Sequence, residues 1–415
     1  MLIEFSVKNF LSFREKQTFS MVAAPRLQKR ENTFAPDLAG EKFPRLLKVA
    51  AIYGPNASGK SNLLAAMLCI GVIAGREPEA EPPPLPVKPF RFDGQLSNDP
   101  SEFEVHFIKN RLRYHFTLAA TGERIIRESL TAYPGGKEKL LYDRRYDGHR
   151  DIYRLGELEG EAALHSLWQQ LTGPKTLFIS RAAANSNTEL QQLSEPFIWL
   201  RRGLFSLGSD LSMFIKASQA IARQKASYNG DVSNFLRSLD IPVKQIRFEG
   251  GDEEFDFSTI QKMTKSLSHE VKTTLTHTTR LGDADFDLSE ESDGTRSLIG
   301  FYLPWRVMKA APSEAVFSAL LVDELDRSLH PEIVRSLIEQ HIKSDNPAQL
   351  IFTTHDTHLM DTKLLRRDQF WLTERDHNGA TLLSSIHEFE GRDSEDIEKR
   401  YFAGRYRSLP IISRD

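Results

Sequence analysis

The sequence predicts an α/β fold, with a phosphate-binding core, an antiparallel β subdomain and a helical insertion. Three observations carry that prediction. The run Val49-Ala50-Ala51-Ile52-Tyr53 reads as a strand that ends in a glycine-bounded turn and passes into a helical pattern opening at Lys60. A second apolar run, Ala315–Val322, ends in two carboxylates, Asp323 and Glu324. Between the two lie alternating segments such as Phe103–Phe107 and Tyr114–Leu118, the pattern of half-buried antiparallel strands.

In chain order, residues 1–20 read as an opening strand, a turn and a second strand. Residues 46–53 give the strand before the turn and 60–74 the helix after it. Glu77–Pro89 is rich in proline and glutamate and predicts a surface connector. Residues 90–154 carry the antiparallel strands, with Pro134-Gly135-Gly136 as a hairpin turn. From about 155 to 240 the period changes: Leu164, Leu167, Trp168 and Leu171 recur at helical spacing, as do Phe197, Leu200, Leu204 and Phe205. No sustained heptads appear, so no long coiled-coil arm is expected. Strand patterns resume at Lys244–Phe248 and Thr273–Arg280. The expected organisation is 1–154, an insertion at 155–240, and 241–415.

Composition excludes several classes. The chain has 415 residues, enough for one large α/β domain or two smaller ones. A single cysteine, Cys69, rules out a disulfide framework and a cysteine-based zinc site, and its place in a core helix predicts a buried thiol. No apolar run approaches the ~18 residues of a membrane span, and the alternating N-terminus lacks the long apolar stretch of a secretory signal. A cytoplasmic protein without membrane partners is expected. Lys plus Arg number 54 against 57 Asp plus Glu, so overall charge makes no case for nucleic acid.

Gly54-Pro55-Asn56-Ala57-Ser58-Gly59-Lys60-Ser61, followed by Asn62, fits the P-loop template without departure. Its glycines let the backbone curl until successive N–H groups point at phosphate oxygens, and the helix N-terminus adds a favourable dipole. Lys60 is placed to reach the β- and γ-phosphates and the Ser61 hydroxyl to bind Mg²⁺. Asp323 suits a second Mg²⁺ contact, and Glu324 the polarisation of the attacking water as general base. Leu350–Thr354 repeats the strand logic and ends at His355, a candidate sensor of the γ-phosphate. Ser292-Asp293-Gly294-Thr295-Arg296 enters another helical pattern. With one P-loop already present, a second anion-friendly helix start suggests action in trans on nucleotide held by another subunit, while an N-cap at Ser292 or Thr295 is the alternative. No Asn/Thr-Lys-x-Asp guanine reader occurs, which points to ATP.

Together these residues resemble the ABC-type ATPase heads of the structural-maintenance-of-chromosomes class. Gly54–Ser61 resembles Walker A and Leu320–Glu324 Walker B. Ser292–Arg296 looks like a divergent signature motif, Asp326 falls where the D-loop would be, and His355 looks like the switch histidine. A closer similarity is to the shorter ATPases related to overcoming-lysogenization-defect nucleases, through Asp323–Pro331, Val7–Phe13 and the tail Tyr401–Pro410. The pairing resembles the ATPase subunits of two-gene abortive-infection and anti-restriction-sensing modules. The Q-loop glutamine has only Gln95 as a candidate, in a polar loop. Sixty residues follow His355, fewer than the ~100 of an ordinary domain, so any nuclease is expected on a separate polypeptide.

The resemblance implies an ATPase that closes on ATP between subunits, as a homodimer or higher oligomer, and controls a separate effector such as a nuclease. A phage-encoded trigger protein and nucleic acid are further candidate partners. The rival expectation is a DNA-repair ATPase that clamps duplex DNA, with Arg144-Arg145, Arg201-Arg202 and Arg366-Arg367 as its candidate basic surface. A degenerate, non-catalytic module fits poorly, since Lys60, Ser61, Asp323 and Glu324 are all present.

Overall fold

The computed structural model describes residues 1–77, 79, 81–186, 190–208, 210–225, 227–249, 272–310, 316–391 and 395–406. The chain opens with β1 (Leu2–Lys8), β2 (Gln17–Ser20) and a short hairpin, β3 (Thr33–Phe34) and β4 (Leu46–Leu47). β5 (Val49–Tyr53) leads into α1 (Lys60–Ala74). There follow β6 (Ser101–Lys109), β7 (Leu112–Ala120), β8 (Ile125–Ala132), β9 (Lys139–Tyr146) and β10 (Asp151–Leu155). α2 (Ala162–Leu171), α3 (Phe178–Ala184), α4 (Ser194–Arg202), β11 (Leu204–Leu207), α5 (Ser212–Gln224) and α6 (Tyr228–Ser238) come next. The remainder is β12 (Val243–Glu249), β13 (Lys272–Thr279), β14 (Gly282–Asp287), α7 (Asp293–Met308), β15 (Ala319–Val322), α8 (Pro331–Ile342), β16 (Gln349–Thr353), β17 (Phe370–Arg375), β18 (Thr381–Ser385) and α9 (Ile397–Phe402).

The architecture is mixed α/β and divides into two compact units. The first holds Met1–Ser206, Phe317–Asp323 and Pro347–Asp415; the second holds Leu207–Val316 and Glu324–Asn346. The boundary thus cuts the 155–240 stretch between Ser206 and Leu207.

Among the described residues the first unit contains two large sheets. One runs β10-β9-β8-β7-β6-β1-β2 with antiparallel neighbours. The other runs β11-β15-β16-β5-β17-β18, where β15, β16, β5 and β17 are parallel. Every residue of β5, β15 and β16 is buried, which explains their unbroken apolar sequence: a parallel strand covered on both faces cannot alternate. Phe107 of β6 stacks on Trp199 of α4 with ring centroids 4.0 Å apart, joining the antiparallel sheet to a helix of the insertion. Buried Glu128 of β8 accepts the Tyr142 hydroxyl at 2.7 Å and the backbone N–H groups of Phe178 and Ile179 at 2.7 and 3.1 Å, so a carboxylate caps α3. Arg144, also buried, stands 3.5 Å from Glu128 and 2.8 Å from Asp151.

The second unit packs α5, α6, α7 and α8 with the antiparallel sheet β12-β13-β14. Tyr228 anchors its core, hydrogen-bonded to Ser218 at 2.9 Å and edge-on to Tyr302.

Three local expectations change. The helical period through Phe197, Leu200, Leu204 and Phe205 breaks at Gly203. Leu204 and Phe205 form a strand instead, because the Gly203 carbonyl accepts the N–H groups of Ser318 and Ala319 at 2.8 and 3.0 Å and draws the chain onto the sheet beside β15. Sheet pairing outweighs a weak local propensity. In the connector Glu77–Pro89, Leu85 and Val87 are buried, and Leu85 donates to the Gly122 carbonyl at 2.7 Å. In extended backbone, residues two apart share a face, so two apolar side chains suffice to fasten a proline-rich strap to the core. The apolar run expected from Ala315 becomes regular only at Ala319, and Ala315 lies outside the described residues, as do Arg407–Pro410 of the tail.

Candidate functional site

β5 ends at Tyr53, and the chain turns through Gly54–Gly59 into α1. Gly54 has φ 152° and Gly59 φ 107°, and Ala57 between them sits at φ 61°. A Cβ on Gly54 would run into Thr373, and one on Gly59 into Thr381 and Ser12, so neither conformation nor space admits another residue. No side chain caps α1, which leaves the N–H groups of its first turn facing outward for an anion. The Lys60 ammonium bonds to the carbonyls of Gly54 (2.9 Å) and Pro55 (3.1 Å) and is held inside the loop it serves.

The loop is braced by Thr373 and Thr381, which the sequence reading did not single out. The Ser58 hydroxyl lies 2.6 Å from that of Thr373, which donates to the Tyr53 carbonyl at 3.2 Å. The Thr381 hydroxyl donates to the Ser58 carbonyl at 2.8 Å and lies 2.7 Å from the Ser12 hydroxyl, which also accepts from the Asn62 amide at 2.8 Å. Thr373 and Thr381 belong to β17 and β18, and nothing in their local sequence marks them. Only the placement of β17 beside β5 does.

β15, β16 and β5 lie side by side and parallel, so their C-terminal ends share one edge. Asp323 follows β15 about two strand spacings, ~10 Å, from the end of β5. Its Oδ1 accepts the Thr353 hydroxyl at 2.6 Å. After β16 the Thr354 N–H bonds to the Ile52 carbonyl at 3.1 Å, and His355 emerges exposed at the same edge. The first unit thereby gathers Gly54–Asn62, Asp323 and His355. Ser61 in the first turn of α1 is exposed, and Mg²⁺ commonly takes one or two protein oxygens together with those of bound phosphates. A serine hydroxyl and an aspartate carboxylate fit that donor set.

Of the other sequence-derived residues, all but Gln95 belong to the second unit. Glu324 is exposed and sits in left-handed backbone at φ 53°, an arrangement that costs a non-glycine residue about 1–3 kcal/mol. Asp326 follows in the same turn, whose Ser328 is also left-handed at φ 59°. Ser292 caps α7: its hydroxyl accepts the Thr295 N–H at 3.1 Å, while Arg296 pairs with Asp293. Gly294 packs so tightly on the Ser328 carbonyl that a Cβ would come within 2.6 Å of it. The segment Ser292–Arg296 and the turn after Glu324 are therefore fitted to one another. Gln95 lies exposed beside a short 3₁₀ turn, its N–H bonded to Asp93.

A cavity of about 690 Å³ opens over the P-loop. Ser58–Asn62 line one side, and Lys88, Arg91, Phe92, Arg375 and Gly379 line the other. The sequence signal for this second wall was the stretch Lys88-Pro89-Phe90-Arg91-Phe92, cationic and aromatic residues interleaved just after the connector.

A family model described as "AAA domain, putative AbiEii toxin, Type IV TA system" matches residues 49–361, from the first residue of β5 to beyond His355. The chain belongs to this AAA-domain family. No curated protein matches it. Among solved structures, the SMC head domain from Thermotoga maritima is similar at 15% identity and TM-score 0.41, covering 92% of this chain and 98% of that one. An SmcHead bound to the C-winged helix domain of ScpA is similar at 13% identity and TM-score 0.45, covering 92% and 97%.

Of the arginine pairs offered as a basic surface, Arg144, Arg366 and Arg367 are buried instead. Arg144 is buried against Glu128 and Asp151. Arg366 is buried against Asp368 and donates to the Ala24, Leu27 and Gln28 carbonyls, and Arg367 bonds to those of Ile386 and Phe389. Arg145 is exposed and paired with Asp143, and Arg201 and Arg202 are half-buried in the last turn of α4.

Proposed function

We propose that this AAA-family chain binds and hydrolyses ATP at sites completed between copies of itself, and that ATP-driven closure controls a separate effector protein, a nuclease or toxin, in an anti-phage defence module. One observation carries the reading: a P-loop stripped of side-chain caps, with Lys60 seated in it, opens onto a cavity large enough for a nucleotide. In this reading Gly54–Asn62 bind the phosphates, and Ser61 with Asp323 hold Mg²⁺, which when bound supplies charge neutralisation at the phosphates. Glu324 takes the proton of the attacking water. His355 senses the γ-phosphate, and Ser292–Arg296 and Asp326 approach from the neighbouring copy. The toxin named in the family's description supports an effector role for the module.

The DNA-clamp alternative keeps Arg145, Arg201 and Arg202 as candidates but not Arg144, Arg366 and Arg367, whose charges are spent inside the fold. The test is affinity purification of the Glu324→Gln protein with ATP from cells carrying the native locus, read by mass spectrometry. A stoichiometric small protein from the neighbouring gene is the expected result, and recovery of DNA alone, released by high salt, would overturn it. The Lys60→Ala protein serves as control and is expected to bind no ATP.

A further inference from the structure

The P-loop accounts for the phosphate side of the cavity and leaves the opposite wall unassigned. Phe92 on that wall is 76% exposed, far more than a core phenylalanine, yet the residues on either side of it are pinned from several directions. The Lys88 carbonyl accepts the Leu11 N–H at 2.7 Å, and the Asn9 side chain accepts the Phe90 N–H at 3.0 Å. Phe90 is buried and lies edge-on to Phe92 with centroids 5.7 Å apart. On the other side Arg14 grips Asp93 through Nε at 3.0 Å and Nη2 at 2.8 Å. An aromatic ring is thus held in the open by a rigid support.

Arg375 faces it from the β17–β18 hairpin. The Asp376 carboxylate fixes that hairpin by accepting the N–H groups of Asn378 at 2.9 Å and Ala380 at 2.7 Å. Gly379 is where the two side chains meet. A Cβ there would stand 2.9 Å from the Arg375 guanidinium and 3.5 Å from the edge of the Phe92 ring. A flat aromatic ring and a flat cation thus flank Gly379 on the cavity wall. Among the described residues lining the cavity there is no carboxylate.

We propose that Phe92 and Arg375 form the nucleobase subsite of this P-loop, the ring supplying a stacking face and the guanidinium a cationic one. The proposal rests on the nucleotide-binding reading above and adds the base-binding residues to it. Stacking engages the π-face that every base shares. Discriminating guanine needs an acceptor for its N1–H and amino group, and this lining offers no carboxylate to be one. A site that binds the base by its faces alone is expected to accept ATP and GTP to similar extents.

The experiment is calorimetric titration of the full chain with ATP, GTP and inorganic triphosphate, all with Mg²⁺, for wild type, Phe92→Ala, Phe92→Trp and Arg375→Ala. Wild type should bind ATP and GTP within about fivefold of one another. Phe92→Ala and Arg375→Ala should each weaken both about tenfold, the scale of one lost stacking partner, and leave inorganic triphosphate unchanged. Phe92→Trp should retain ATP. Phe92→Ala binding ATP as wild type does, or losing triphosphate as much as ATP, would overturn the subsite. So would an ATP-over-GTP preference well beyond fivefold. If wild type binds neither ATP nor inorganic triphosphate, the nucleotide reading itself fails, a result distinct from the others.

Discussion

The Thr381 hydroxyl donates to the Ser58 carbonyl at 2.8 Å across 323 residues of sequence. The phosphate loop is thereby shaped from behind by the last strand of the sheet, through a bond that no local pattern in either segment announces. Its partner Ser58–Thr373 does the same one strand nearer.

Thr381 is 1% exposed, so removing its hydroxyl strands the Ser58 carbonyl and loosens the contact with Ser12. Thr381→Val should cost about 1–3 kcal/mol of stability. It should also weaken nucleotide binding and speed amide exchange at Ser58–Lys60. Denaturant unfolding, titration calorimetry and hydrogen exchange would check the three effects, and an unchanged exchange rate with an unchanged Kd would show that the brace is dispensable.

Glu324 carries the proposed base function from a left-handed turn directly after Asp323. Glu324→Gln keeps size and hydrogen bonding and removes proton acceptance. It should bind ATP like wild type and hydrolyse it at least ~100-fold more slowly. Steady-state phosphate release decides this, and equal turnover would remove Glu324 from the role.

Glu128 is buried among Tyr142, Arg144 and the start of α3, and burial raises its pKa against the pull of Arg144. Deleting the carboxylate leaves Arg144 without one of its two acidic partners and α3 without its cap. Glu128→Ala should lose about 3–5 kcal/mol, while Glu128→Gln, which still accepts from Tyr142, should lose less. Urea unfolding followed by tryptophan fluorescence would measure the difference.

His106 and His115 face each other across β6 and β7 with rings stacked 4.0 Å apart. Burial, then the neighbouring charge of His115, lowers the His106 pKa from 6.5 to about 4, and burial lowers that of His115 as well. The unfolded chain therefore binds protons that the folded chain refuses. Stability from this source is complete above about pH 6.5 and declines as pH falls from there toward 4. Thermal midpoints should drop over that window, and His106→Gln should flatten the decline. Parallel curves for the two proteins would place the pH dependence elsewhere.

Much of the chemistry was legible because it is local. A P-loop needs its glycines, lysine and serine at fixed spacing in one turn, and a buried parallel strand writes itself as an unbroken apolar run, as Val49–Tyr53 and Leu350–Thr353 do. Such features are set by backbone conformation and period, which a single sequence carries. Other properties depend on which segments meet. Arg144, Arg366 and Arg367 look like solvated charges until Glu128, Asp368 and distant carbonyls are folded around them. Leu204 and Phe205 read as helix until β15 offers a strand to pair with.

The sequence by itself determined the α/β class, the phosphate loop and the acidic strand end, because these are short-range consequences of residue type. The tertiary structure decided what braces the loop and what faces it across the cavity. Thr373 and Thr381 gain their significance from strand order, since placing β17 beside β5 and β18 beyond it brings side chains more than 300 residues from the loop within hydrogen-bonding distance of it, and Phe92 and Arg375 gain theirs from the folding of two distant segments onto one cavity.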